Sequence, residues 1–230
     1  MTRARVGIFG GTFDPIHQGH LRAAEEVREA FDLERVILVP AALPPHKEGQ
    51  GRSPRAPAAL RLSWVERAIA NNPALCVDPL ELEREGPSYT IDTLHSLQPR
   101  IGPEAPVFVI GYDAFSLLGS WHRPAEVLAS AHFAVVTRPP AAIGSLADCL
   151  PEALRADFDF APDGRSANHR RVSSWIRMLE IPGLDVSSSE IRRRLQEGRS
   201  VRYLLPEAVR VPVLESGVYS EAQLGRNPTR

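Results

Sequence analysis

The chain has 230 residues, 43% of them hydrophobic, enough to bury one substantial core, so a single domain over 1–230 is expected rather than two small ones. Its 27 basic and 28 acidic residues leave a formal charge of −1, which excludes a global field drawing it to nucleic acid or anionic membrane and favours small-molecule partners. Cys76 and Cys149 are its two cysteines, too far apart in sequence to define a disulfide framework or a zinc site, and both read as core thiols.

In chain order, the N-terminal stretch is basic and then apolar, but Gly10-Gly11 and Asp14-Pro15 cut the run short of a signal sequence. No other run approaches the ~20 apolar residues of a membrane span, so the cytoplasm is the expected location. Strand-like apolar runs occur at Val6 to Phe9, Val36 to Val39, Leu75 to Val77, Val107 to Ile110 and Phe133 to Val136. Most are separated by segments of helical spacing. A first helix from about His20 places Leu21, Ala24, Val27 and Phe31 on one stripe, and a second, with Leu62, Val65 and Ile69, follows a Pro-rich loop from Pro40 to Pro57. Such alternation predicts a parallel sheet with helices on its faces. Pro139 to about Gly183 shows no firm period and reads as loop plus one or two irregular helices. Ser187, followed three residues later by Glu190, reads as a capping box opening a helix from Ser188 to Gln196, with Gly198 just past its end. The C-terminal helical part, about 187–230, is expected to pack on the same core.

In parallel α/β sheets, ligands bind beyond the carboxyl ends of strands, where glycines let phosphate approach main-chain N–H groups at a helix N-terminus. Gly10-Gly11, directly after the first strand, meets that requirement. The spacing Gly7-x-x-Gly10-Gly11 lacks the G-x-G-x-x-G dinucleotide fingerprint, and the Gly-Lys pair of a Walker A loop is absent. In their place stands His17-Gln18-Gly19-His20, two imidazoles three residues apart on one starting turn. Neighbouring imidazoles beside an anion site can donate hydrogen bonds to a phosphoryl group as charge builds on it.

The stretch from Gly7 to His20 resembles the opening motif of the bacterial nicotinate-nucleotide adenylyltransferases of the HxGH nucleotidyltransferase superfamily. The resemblance extends to Pro44-Pro45-His46-Lys47, Gly86 to Leu94, Phe108 to Asp113, Trp121-His122, Thr137-Arg138-Pro139 and Ser187 to Arg192. It implies a Rossmann-like doubly wound parallel sheet of nucleotidyltransferase type. The implied reaction is adenylyl transfer from ATP to nicotinic acid mononucleotide, giving deamido-NAD and pyrophosphate, with Mg2+ carried on the triphosphate and no metal ligand assigned to the protein. By the same resemblance, His17, His20, Lys47 (the chain's single lysine) and Arg192 form the catalytic set. Gly10, Gly11, Thr12, Phe13, Ser187 and Ser188 are assigned to ATP, and Thr90, Gly111, Asp113, Trp121 and Arg138 to the mononucleotide. Ser189 replaces the family's usual threonine, and Tyr112 and Pro124 stand where the family tends to have a small residue and an aromatic. Homo-oligomer formation is left open. So are two other readings: nicotinamide mononucleotide as the preferred acceptor, and a non-catalytic nucleotide-binding regulator.

Overall fold

The computed structural model describes residues 6–43, 54–137 and 144–220. Among them, one eight-stranded sheet organises the chain: β1 Val6–Gly11, β2 Arg35–Pro40, β3 Leu75–Val77, β4 Val107–Gly111, β5 His132–Thr137, β6 Phe158–Phe160, β7 Ser166–His169 and β8 Trp175–Glu180, in spatial order β3-β2-β1-β4-β5-β8-β7-β6. The first five strands and β8 run parallel, whereas β6 and β7 close one edge antiparallel. β5 is buried at every position and β4 at all but its last, which is the reason their sequences read as continuous apolar runs rather than alternating ones.

Helices cover both faces. On one lie α1 Gln18–Ala30 and α2 Ala58–Ile69, joined after the sheet by α9 Ser188–Gln196 and α10 Glu207–Ser216. Ala24, Val27, Trp64, Val65, Ile191, Val209 and Val213 meet the underside of the sheet there in one continuous apolar cluster. The opposite face carries α3 Leu80–Glu83, α4 Thr90–Ile101, α5 Tyr112–Phe115 and α6 Pro124–Ser130, whose Ile91, Leu94, Phe115 and Val127 pack on Ile8, Phe108 and Phe133. Ile191 from α9 and Val209 and Val213 from α10 share their cluster with Val36 and Val109 of the central strands.

The segment read as loop plus one or two irregular helices has the helices, and also three strands that the reading did not foresee. It contains two short helices, α7 Leu146–Cys149 and α8 Glu152–Arg155, and then the three strands β6, β7 and β8. These strands are short or half-exposed, and β8 carries Arg177 among its apolar residues, with the Nη1 of that side chain donating to the Ala167 carbonyl at 2.8 Å. A polar side chain satisfied within the sheet erases the alternation by which a strand is recognised in sequence. In α2 the buried face is Arg61, Trp64, Val65 and Ile69, so the helix is turned slightly from the Leu62 stripe and sinks a charged residue.

Strand order reverses between β1 and β4, because the chain moves outward through β2 and β3 before returning to β4. The crevice beyond Gly11 and Gly111 is therefore the topological switch point, where open α/β sheets bind ligands.

Candidate active site

Two cavities open at that switch point and share Phe9, Val109, Ile110 and Gly111 as a common wall. The larger, about 780 Å³, lies between the starts of α1 and α9 and is lined by His17, His20, Asp113, Ser187 and Ser188. The smaller, about 240 Å³, is lined by Gly10, Gly11, Thr12, Glu81, Thr90 and Trp121. Both α1 and α9 start at the larger cavity, so the positive ends of two helix dipoles converge on it.

His17 is the N-cap of α1, extended at φ −147°, and His20 is the third residue of the helix. The rings stack, with centroids 3.7 Å apart and planes at 23°. The His17 main-chain N–H donates to His20 Nδ1 at 3.2 Å, which makes Nδ1 the acceptor nitrogen of a neutral imidazole and puts its proton on Nε2. His20 is braced from behind by the edge of Phe13 at 5.1 Å. The pair thus forms a rigid donor surface at a helix start, suited to a phosphoryl group. Phe13 itself is buried, lines neither cavity and supports the His20 ring.

At the second helix start, Ser187 Oγ accepts the Glu190 N–H at 3.2 Å, the first half of the expected capping box. The reciprocal half is not formed: the Glu190 carboxylate turns to Arg193 and Arg194, 2.8 and 2.7 Å away, because these cations on its own helix outcompete a neutral N–H. Ser188 Oγ donates to the Pro15 carbonyl at 3.0 Å, and Arg192 Nη1 donates to the Asp14 carbonyl at 2.7 Å. Arg192 Nη2 reaches Ser189 Oγ at 3.0 Å, the use found for the hydroxyl at that position. The late helix is in this way latched to the loop that follows β1.

The smaller cavity has an aromatic character. Trp121 stands edge-on to Phe108 at 6.3 Å, and His122 stacks on Tyr89 at 4.4 Å. Glu81 is buried in the lining and accepts the Thr93 hydroxyl at 2.5 Å. Burial pushes its carboxyl above the usual range, with hydrogen bonds from Thr93 and Ser88 opposing. Thr90 opens α4 at the rim.

The placement of the sequence-derived residues is informative. His17, His20, Ser187 and Ser188 are brought together at one cavity, and Thr90, Gly111 and Trp121 at the other. Gly10, Gly11 and Thr12, expected with ATP, line the smaller cavity beside Thr90 and Trp121. Asp113, expected with the mononucleotide, is exposed in the larger cavity with the histidines; α5 starts at Tyr112 and turns the next side chain to that side of β4. Tyr112 lines the same cavity and its hydroxyl accepts the Gly144 N–H at 2.9 Å. Lys47 and Arg138 lie outside the described residues, as do Pro44, Pro45, His46 and Pro139. Among the described residues no group of three His, Cys, Asp or Glu side chains is disposed to hold a metal ion, and no helix is long and apolar enough to cross a membrane.

Residues not singled out by the sequence reading complete the site. Asp14 is buried and accepts the Arg55 and Ala56 N–H groups at 2.9 and 3.0 Å, fixing the return of the chain before α2. Arg61, 1% exposed, donates to the Thr12 carbonyl at 2.7 Å and to the Ala56 carbonyl at 3.2 Å. Burial pulls its guanidinium below the usual range while Asp14 and Tyr219 raise it. The clue available in sequence was an arginine on the apolar stripe of a helix, whose buried guanidinium needs polar partners.

The arrangement agrees with the chain's relatives. A cytidylyltransferase-like family model matches residues 8–194. A probable nicotinate-nucleotide adenylyltransferase of Halorhodospira halophila is 44% identical over 220 residues, covering 95% of this chain and 97% of that protein. One of Geobacter metallireducens is 44% identical over 216 residues, covering 94% and 98%. Among solved structures, the Plasmodium falciparum nicotinic acid mononucleotide adenylyltransferase complexed with NaAD superposes with a TM-score of 0.68 at 17% identity, covering 94% of this chain and 97% of that one, a likeness of fold. With its sheet order, its histidine-bearing helix start and its near-full-length relatives, the chain belongs to the nicotinate-nucleotide adenylyltransferases of the cytidylyltransferase-like family.

Proposed function

We infer that the protein transfers the adenylyl group of ATP to nicotinic acid mononucleotide, releasing pyrophosphate and forming deamido-NAD, as a cytoplasmic step of NAD biosynthesis. The observation that carries this reading is the pair of cavities sharing one wall at the switch point: one faces two histidines and two helix N-termini, the other is aromatic. A dinucleotide assembled across the wall places its phosphates between them.

The chemistry asks little of a base. A phosphate monoester has a second pKa of about 6, so the attacking oxygen is already largely anionic at neutral pH. It forms a bond to the α-phosphorus of ATP as the bond to the bridging oxygen of pyrophosphate breaks. Catalysis is then alignment plus stabilisation of the charge spread over the phosphoryl oxygens. His20, with its proton on Nε2, and His17 beside it supply donors for that charge. Ser187, Ser188 and Arg192 hold the departing phosphates, joined by Lys47 as a point charge. Mg2+ enters as part of the ATP substrate, held by its phosphates. Trp121 offers a face to the pyridine ring, Thr90 a main-chain N–H to its carboxylate, and Gly111, in the shared wall, lets the ligand approach the backbone closely. The family resemblance assigns Arg138 to the mononucleotide as well. Asp113, facing the larger cavity, suits the ribose of ATP better than that of the acceptor.

The deciding measurement is pyrophosphate release from ATP with the acid and the amide mononucleotide in turn. The reading expects turnover with the acid to exceed that with the amide at least tenfold; equal turnover would move the acceptor assignment, and no release with either would remove the activity.

A further inference from the structure

The Asp14 carboxylate is nearly saturated by neutral donors. Its Oδ1 accepts the Ala56 N–H at 3.0 Å and the Tyr219 O–H at 2.5 Å, and its Oδ2 accepts the Arg55 N–H at 2.9 Å. Arg192 Nη1 lies 3.7 Å from Oδ2, outside hydrogen-bond reach, and donates instead to the main-chain carbonyl of the same residue at 2.7 Å. A guanidinium this close to a buried carboxylate ordinarily forms a bidentate ion pair, which is roughly twice as strong as a bond to a neutral acceptor. Here that bidentate pair is not made, and the two charges meet only as a longer ion pair at 3.7 Å. The arginine is anchored instead by a carbonyl and by Ser189, neither of which neutralises its charge.

Tyr219 is the one side-chain donor, among the described residues, that hydrogen-bonds this carboxylate. It follows α10, 2% exposed, with its ring tilted against Trp64 at 5.9 Å. Burial, with Asp14 alongside, pushes its hydroxyl far above the ordinary range, so it is always a donor. If the hydroxyl is removed, Asp14 is left one donor short in a buried site, where an unsatisfied charged group is costly. Arg61 is not available to answer it, since the Thr12 and Ala56 carbonyls hold that guanidinium. Among the described residues, Arg192 is the side-chain cation within 4 Å of Asp14.

We propose that Tyr219 is a positioning residue for the nucleotide: by satisfying Asp14 it keeps that carboxylate from capturing Arg192 and leaves the guanidinium for the triphosphate. The inference rests on Arg192 as a phosphate ligand and identifies what keeps it available. Nothing near the reacting atoms reveals the part Tyr219 plays, because its hydroxyl acts two groups away.

The test is a set of kinetic cycles on the full chain, with ATP and mononucleotide varied separately. Tyr219→Phe keeps the ring against Trp64 and should raise the ATP KM about tenfold while leaving the mononucleotide KM within twofold. In an Arg192→Ala background the same change should add nothing, since the group it frees is gone. In an Asp14→Asn background it should also be silent, because no carboxylate remains to capture the arginine. That double variant carries no buried carboxylate lacking a donor, so the cost expected of Tyr219→Phe alone is absent from it. A tenfold rise in ATP KM on Tyr219→Phe within either background overturns the proposal, as does an unchanged ATP KM in the single variant alongside an impaired Arg192→Ala. An Arg192→Ala enzyme with normal ATP kinetics overturns the phosphate role of Arg192 itself, a separate and recognisable failure.

Discussion

Replacing His20 by Asn separates the two things this residue does. The Asn side-chain oxygen falls where Nδ1 stood, so it can still accept the His17 N–H that now makes a 3.2 Å bond to the ring, and the start of α1 is kept. What disappears is the Nε2–H that faces the larger cavity, together with the edge contact to Phe13 at 5.1 Å. The contact is an aromatic pair of about 1 kcal/mol, so Tm should fall by roughly 2–4 °C for a chain of this size. The lost donor is a different matter. One preorganised donor to charge developing in the transition state contributes on the order of 10²–10³ in kcat, about 3–4 kcal/mol, and much less to ground-state binding. In a coupled pyrophosphate-release assay, kcat should therefore drop by that factor with the ATP KM within about threefold of wild type. A kcat within threefold of wild type, or a loss expressed in KM alone, would refute the assignment of His20 to the transition state.

Trp121→Ala should raise the mononucleotide KM about tenfold, from the loss of a stacking platform worth roughly 1–3 kcal/mol, and an effect confined to the ATP KM would show that the aromatic cavity holds the other nucleotide. Gly19→Ala puts a Cβ 3.0 Å from Val186 and 3.2 Å from the His17 ring, so it should cost about 1–3 kcal/mol by thermal denaturation and lower kcat by displacing His17; an unperturbed enzyme would mean the ring does not need its present seat. His132 is buried, stacked on Trp175 at 4.6 Å, and burial followed by the Arg177 charge pulls its pKa down to about 4. The folded state thus favours the neutral ring, whose stabilisation is complete above the unfolded value of about 6.5 and is lost as pH falls toward 4, about 3 kcal/mol in all. His132→Phe keeps the stack and should flatten that part of the urea stability profile between pH 6.5 and 4; parallel profiles for the two proteins would refute it.

What could be read in the sequence follows a physical line. β1, β2, β3, β4 and β5 are legible because strands buried on both faces admit few polar residues, and α9 because Ser187 and Gly198 mark its ends. β6 to β8 are not, since they carry Asp159, Asn168 and Arg177 at exposed or internally satisfied positions, on the edge strand β6 and on β7 and β8 beside it. In the site, His17 and His20 are visible through their spacing along one short segment. The division of Gly10, Thr12 and Asp113 between two cavities depends on which way each strand end turns, information that lies in the tertiary pairing of β1 with β4 rather than in local pattern. Arg61 and Tyr219 are hidden for a further reason: their meaning is the company of Asp14, reached only when α2 and the end of α10 are folded against it.

The bond from Tyr219 to Asp14 joins positions 205 residues apart. During synthesis, β1 and the histidine turn emerge well before Tyr219, so the carboxylate in their midst waits for its last donor. Contacts of such separation form late, because long loops must close before they reward the chain. A ribosome-bound chain that has not yet reached Tyr219 therefore carries both histidines on an unfinished phosphate loop. Competence to bind nucleotide should appear abruptly once Tyr219 is available rather than grow with length.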